Sequence, residues 1–150
     1  MSKEFNFSIC MPVYQGSHLI GNAIDSIRKQ EFENYEILIG DDNQAVAKAE
    51  SQKTKEILDS YNDSRIKYTK NEKNLGYPEN LKLIVSRAKK DIIFLMAQDD
   101  FLSNDALQKT HDAFLLDDDV GVVTRPYFWF YDCLDKPVRA VTPYDPENDA

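Results

Sequence analysis

Three short segments carry side chains able to do chemistry. Asp41-Asp42-Asn43 and Gln98-Asp99-Asp100 each set a pair of carboxylates beside a carboxamide, and Pro12-Val13-Tyr14 closes an apolar run with a phenol. Each follows residues that read as a buried strand: Phe7 to Val13, Tyr35 to Gly40, and Asp91 to Met96. In open α/β sheets ligands bind beyond the carboxyl ends of the strands, so parallel strands would gather all three segments at one rim. Carboxylates held close together repel, and a divalent cation relieves that repulsion. Mg²⁺ and Mn²⁺ prefer carboxylate oxygens, and Mg²⁺ is typically held by one or two of them plus substrate phosphates. A carboxylate also accepts from a ribose diol or a base N–H. The pattern therefore suits one acidic pair on a nucleoside and the other on a metal beneath its diphosphate. A lone Asp-Asp after a strand is more often a turn or a helix cap, and Asp117-Asp118-Asp119 is read that way, as a solvated turn.

The elements that must position these groups alternate along the chain. Ser17 is placed to cap a helix with Leu19, Ile20, Ala23, Ile24 and Ile27 on one face. A polar helix runs from about Ala45 to Tyr61, with Val46, Ile57 and Leu58 available for packing, and Arg65 to Thr69 is a short strand. Pro78 suits the first turn of a helix that turns Leu81, Ile84, Val85 and Ala88 inward. Ile92 to Met96 shows no apolar alternation, the pattern of a strand covered on both faces. Asn104 is placed to cap a helix with Leu107, Phe114 and Leu115 inward, and Val120 to Thr124 and Tyr127 to Tyr131 read as two more strands. Alternating strands and helices imply βαβ units. The expected fold is α/β: a three-layer αβα sandwich around a mostly parallel sheet. One domain over residues 1–150 is expected, with 132–150 as a polar tail containing Pro137, Pro143 and Pro146.

The 150 residues, 42% hydrophobic and 29% charged, suffice for one core. A net charge of −8 with no run of Lys and Arg argues against nucleic acid as a partner. Cys10 lies in an apolar strand and Cys133 is distant, which gives neither a disulfide framework nor metal-ligand spacing. The N-terminus lacks the apolar core of a signal peptide, and no stretch approaches the roughly 20 apolar residues of a membrane span. The expected location is cytoplasmic. His111 reads as a helix-edge or core histidine and His18 as a surface residue. The aromatic run Tyr127 to Tyr131 alternates faces, and its apolar surface is a candidate for self-association.

The residues also resemble a known family. Phe7-Ser8-Ile9-Cys10-Met11-Pro12-Val13-Tyr14 is similar to the opening strand of family 2 glycosyltransferases, which have the GT-A fold. Gln30-Glu31-Phe32, Tyr35 through Asn43, the Asn-x-Gly signature Asn74-Leu75-Gly76 followed by Asn80, and Asp91 through Asp100 continue the resemblance in order, to about Tyr131. The resemblance implies a Rossmann-like transferase of nucleotide-diphospho-sugars. Pro12, Val13 and Tyr14 would line the nucleotide pocket, Asp42 would meet the base, Asp41 would support that loop, and Asn43 would bind the sugar nucleotide. Gly76, Asn80 and Gln98 would belong to the donor site. Asp100 would be the direct metal ligand, with Asp99 on the ribose or a metal-bound water. The implied partners are a sugar nucleotide, a UDP-sugar before others, and a glycan or lipid-linked acceptor. Polysaccharide synthesis is the implied setting, with peripheral attachment at the inner face of the membrane left open.

Departures accompany the match. Ala97 stands where many members have Asp, and Asn43-Gln44-Ala45 replaces the usual Gly-Ser-Thr. Nothing after Asp132 resembles the family's general-base segment, and Asp132, Asp135, Asp145 and Glu147 sit in the polar tail. The chain is therefore expected to stop before the acceptor half, and the alternative to a transferase is a non-catalytic or truncated sugar-nucleotide-binding module. Dehydrogenase and P-loop readings fail for want of their glycine motifs. A receiver domain needs an acidic pair after strand one. A sugar-nucleotide pyrophosphorylase needs a Gly-rich basic loop there. Neither is present.

Overall fold

The computed structural model describes residues 4–43, 48–130 and 139–141. They form two compact units, residues 1–111 and 112–150. The first holds β1 (Phe7–Val13), α1 (Ile20–Arg28), β2 (Tyr35–Asp41), α2 (Lys48–Ser60), β3 (Ile66–Lys70), α3 (Tyr77–Val85) and β4 (Ile92–Leu95). Helix α4 (Ala106–Phe114) begins in it. Its sheet has the order β3-β2-β1-β4, every pairing parallel.

The central strands are apolar because both faces are covered. All seven residues of β2 are buried. On one face Cys10 and Leu38 meet Ile84 of α3, with Leu81, Val85 and Ala88 packed around them. On the other, Phe7 stacks edge-on against Phe32 and Phe94, and Phe32 meets the His111 ring of α4. Helix α1 buries Ile20, Ala23, Ile24 and Ile27, one helical stripe. Each buried isoleucine contributes roughly 1.5–3 kcal/mol. Burial also pushes the Cys10 thiol up to about 11, with the Glu36 carboxylate adding to the shift.

Gly40 is demanded by this packing. A Cβ there would stand 2.5 Å from Asn80 Oδ1 and 2.6 Å from Ile84 Cδ1, so α3 could not approach β2. Beneath the helix Glu36 is 3% exposed. It accepts from Ser8 Oγ (2.8 Å) and the Lys89 N–H (3.0 Å), and pairs with Lys67. Burial pushes its carboxyl up, but the bonds from Lys67 and Ser8 outweigh it and hold the group below the usual range.

Several local expectations are corrected. Ser17 does not cap α1; the cap is Leu19, without a side-chain bond. The Ser17 hydroxyl instead bonds the Glu50 carboxylate of α2 and draws its pKa down. Strand β4 is not covered on both faces: Ile92 and Phe94 are buried, while Ile93 is 39% and Leu95 51% exposed. Helix α3 lies over β1 and β2 and leaves that face of the edge strand open. Asn104 precedes α4 in a turn closed by Asp105 at φ 63°. Residues 120–124 form no strand.

In the second unit β5 (Tyr127–Trp129) pairs antiparallel with β6 (Arg139–Val141), so a strand lies within the range read as a polar tail. Tyr127 and Trp129 are exposed. Cys133 and the acidic residues of 132–150 lie outside the described residues.

Candidate functional site

Parallel pairing puts the carboxyl ends of β1, β2 and β4 on one rim, as the spacing implied. Val13 is level with Asp41, and β1 lies between β2 and β4. Neighbouring strands are about 4.8 Å apart, so the axes of β2 and β4 lie about 10 Å apart, with β1 between them.

The β2 segment is built inward. Asp41 and Asp42 are 0% and 3% exposed, and burying a carboxylate requires that it be hydrogen-bonded. Asp41 Oδ1 accepts from the Asn43 N–H (2.9 Å) and Nδ2 (2.8 Å), and its Oδ2 accepts from the Tyr68 hydroxyl. Burial, then this bond, raises the Tyr68 phenol. Asp42 Oδ1 accepts from Asn71 Nδ2 and the Leu75 N–H, both 2.8 Å, and Oδ2 from the Gly76 N–H, also 2.8 Å. Asp42 thus clamps the 74–76 turn against the end of β2. Gly76 sits at φ 77°, ψ 161° as the N-cap of α3, a conformation open essentially to glycine alone. Asn80 Nδ2 donates to the Gly40 carbonyl (2.9 Å), and Asn80 Oδ1 accepts from Asn71.

The β1 loop is held from both sides. Gln15, at φ 50°, donates its N–H to Asn43 Oδ1 (2.9 Å). The Tyr14 N–H donates to Gln98 Oε1 (3.0 Å), and Gln98 Nε2 donates to the Tyr14 carbonyl (2.9 Å). Gln98 lies so close to Gly16 that a Cβ there would fall 2.1 Å from its Oε1. Val13 is buried, and its carbonyl accepts from the Asp42 N–H. Pro12 is half-buried, and Tyr14 is 48% exposed.

The β4 segment is built outward. Asp99 and Asp100 are exposed. Asp100 Oδ2 accepts from the Ala97 N–H (3.2 Å), which fixes the turn. Of the sequence-derived residues, then, Asp41, Asp42, Asn43, Gly76 and Asn80 share one buried network, Gln98 and Tyr14 form a strap, and Asp99 and Asp100 face solvent. Tyr68 and Asn71 are additions. Tyr68 lies within β3 and Asn71 just beyond its carboxyl end, on the strand that the motif reading passed over.

A divalent cation fits this donor set on one condition. Among the described residues no group of three or more His, Cys, Asp or Glu could hold a metal. Asp99 and Asp100 supply hard oxygens, a pair that suits Mg²⁺ completed by substrate phosphates and water.

Comparison with known proteins decides the family: the model for glycosyl transferase family 2 matches residues 8–145. The chain belongs to glycosyl transferase family 2. Among curated family relatives, an uncharacterized glycosyltransferase of Haemophilus influenzae is 28% identical over 137 residues, 90% of this chain and 52% of its own length. The Escherichia coli protein WfgD, named a UDP-Glc:alpha-D-GlcNAc-diphosphoundecaprenol beta-1,3-glucosyltransferase, is 36% identical over 46% of this chain and 25% of its own length. The amylovoran biosynthesis glycosyltransferase AmsB of Erwinia amylovora is 27% identical over 71% of this chain and 35% of its own. The chain thus spans about half or less of these relatives.

Solved structures agree on the GT-A fold. Mannosyltransferase PcManGT from Pyrobaculum calidifontis, in complex with GDP-Man and Mn²⁺, superposes with TM-score 0.69 at 18% identity, covering 80% of this chain and 35% of that one. S. aureus TarS with UDP-GlcNAc gives TM-score 0.64 at 21% identity, covering 73% and 31%.

Proposed function

We propose that this family 2 domain binds a nucleoside-diphosphate sugar at the β1–β2–β4 rim and, within the complete protein, passes the sugar to a hydroxyl of a glycan or lipid-linked acceptor. The observation that carries the reading is the division of labour among carboxylates. Asp41 and Asp42 are spent on the scaffold, whereas Asp99 and Asp100 are exposed beside a loop held rigid by Gln98. Relatives named for UDP-Glc, UDP-GlcNAc and GDP-Man support the donor class.

Tyr14 offers its ring to the nucleoside. Asp42, buried and accepting three internal donors, acts at that end of the pocket through the 74–76 turn that it clamps. Asp99 and Asp100 hold Mn²⁺ or Mg²⁺ against the diphosphate, Asp100 as direct ligand and Asp99 toward ribose or bound water. A bound cation supplies Lewis-acid stabilisation of the departing diphosphate. Following strands on either side of β1, the two acidic segments can address the two ends of one nucleotide.

Donor binding without transfer is the second reading. Asp41 and Asp42 are committed to internal donors, so neither is placed to take a proton from an acceptor hydroxyl. The test is a thermal-shift screen of nucleoside diphosphates with and without Mn²⁺, followed by a transfer assay. A ligand that binds only the folded state raises its stability. A metal-dependent shift supports the donor site, absence of any shift defeats it, and a shift without transfer selects the second reading.

A further inference from the structure

The charges of this acidic chain are sorted. Residues 65–90 carry eight Lys and Arg and two Asp and Glu, a net of +6. The rest carries ten cations and 24 acids, a net of −14, which together give the overall −8. Residues 65–90 are β3, α3 and their flanks. Two grooves border α3. One, of about 390 Å³, sets Lys67, Arg87 and Lys89 around a floor of Leu38 and Ile84. The other, of about 540 Å³, sets Lys73 and Lys82 around Leu75 and Leu83. Lys67, Lys73, Lys82, Lys89 and Lys90 are exposed, and Tyr77, at the start of α3, is 63% exposed. Glu36 pairs with Lys67 and Glu79 with Lys82 (3.8 Å), so the acids present only partly offset the cations.

We propose that the α3 side of the first unit docks on an anionic lipid bilayer. The proposal stands independently of the donor-site reading. Exposed cations on long stems around the half-buried Leu75 and Leu83, with an exposed tyrosine nearby, match a membrane interface. Lys and Arg stems lie on apolar surface while their heads reach phosphates, and tyrosine favours the headgroup level. A planar surface also suits the charge sorting. It attracts the exposed cations of residues 65–90 and repels the acidic remainder, so it fixes the orientation of the protein. A nucleic acid would meet that same acidic remainder as it extended past the face.

The test is co-sedimentation of the full chain with vesicles of phosphatidylcholine alone or with about a third phosphatidylglycerol. Binding is expected only to the anionic vesicles and should weaken as salt rises, since screening shortens the reach of surface charge. Each Lys near such a surface is worth about fivefold in partitioning. Lys82→Glu, Lys89→Glu and Lys90→Glu combined should therefore cost about a hundredfold or more. Reversing Lys53 and Lys55 on α2 should not reproduce the loss. If the triple reversal unfolds the chain, the Lys→Gln versions serve instead. Millimolar inorganic phosphate should not compete, which separates a docked bilayer from a free-anion site. Equal binding to neutral vesicles, no vesicle binding, an undiminished triple variant, or capture of an acidic protein in place of vesicles each overturns the proposal.

Discussion

Tyr14 and Gln98, 84 residues apart, exchange two hydrogen bonds that close the gap between the β1 and β4 loops. The side chain of one residue serves both backbone groups of the other, so the loop carrying the exposed phenol is set by the segment carrying the exposed acids. Gly16 makes the approach possible.

Gln98→Ala should cost about 1–2 kcal/mol of stability, two ordinary hydrogen bonds. It should also weaken uridine diphosphate binding, because Tyr14 loses its tether. Denaturant unfolding and titration calorimetry read the two effects. Unchanged affinity would show that the tether does not serve binding.

Asp99→Ala and Asp100→Ala should behave in the opposite manner. Both residues are exposed, so stability should stay within about 0.5 kcal/mol of the parent, while Mn²⁺-dependent nucleotide binding should be lost, most completely at Asp100. A variant that retains the Mn²⁺-dependent thermal shift would remove these residues from the site.

Asp42→Asn turns one acceptor oxygen into a donor facing a backbone N–H. With three bonds to a buried carboxylate at stake, the expected loss is about 2–3 kcal/mol. Hydrogen exchange should rise first at Leu75 and Gly76. Exchange that rises uniformly would argue against a local clamp.

Gly40→Ala should destabilise by about 1–3 kcal/mol through overpacking of α3. Gly121→Ala, where an added Cβ meets nothing within 4 Å, is the control. Equal effects in urea melts would refute the packing argument.

Acid should weaken the fold through Asp63. Its bond from Arg65, helped by Arg28, lowers the carboxyl to about 2 from 3.8. A folded pKa below the unfolded one stabilises above the unfolded value, and that contribution fades as pH falls from near 4 toward 2. Arg28 and Arg65 are 39% and 33% exposed, so screening leaves about 1 kcal/mol. Asp63→Asn should flatten stability against pH in that window and leave the neutral-pH slope unaltered.

The strand–helix alternation, the parallel sheet and the shared rim were legible in sequence because apolar runs and their periods follow directly from which face must be buried. The acidic pairs were legible as pairs. Their opposite fates were not, because Asp42 and Asp99 are the same residue type after similar strands. What separates them is the third dimension. Asn71, Tyr68 and the 74–76 turn converge on β2 and can desolvate its carboxylates at acceptable cost, whereas β4 is an edge strand with no such cover.

The same cause explains β4 itself. Ile92 to Leu95 reads as buried on both faces, yet Ile93 and Leu95 are open because α3 spans only β1 and β2. The gathering of the basic residues was equally hidden, since Lys67 is remote in sequence from Arg87 and Lys89 and meets them only around one groove. Local pattern determined which residues pair with a sheet and where its rim falls. Burial, which depends on partners remote in sequence, decided which carboxylates hold the fold together and which remain free to meet a ligand.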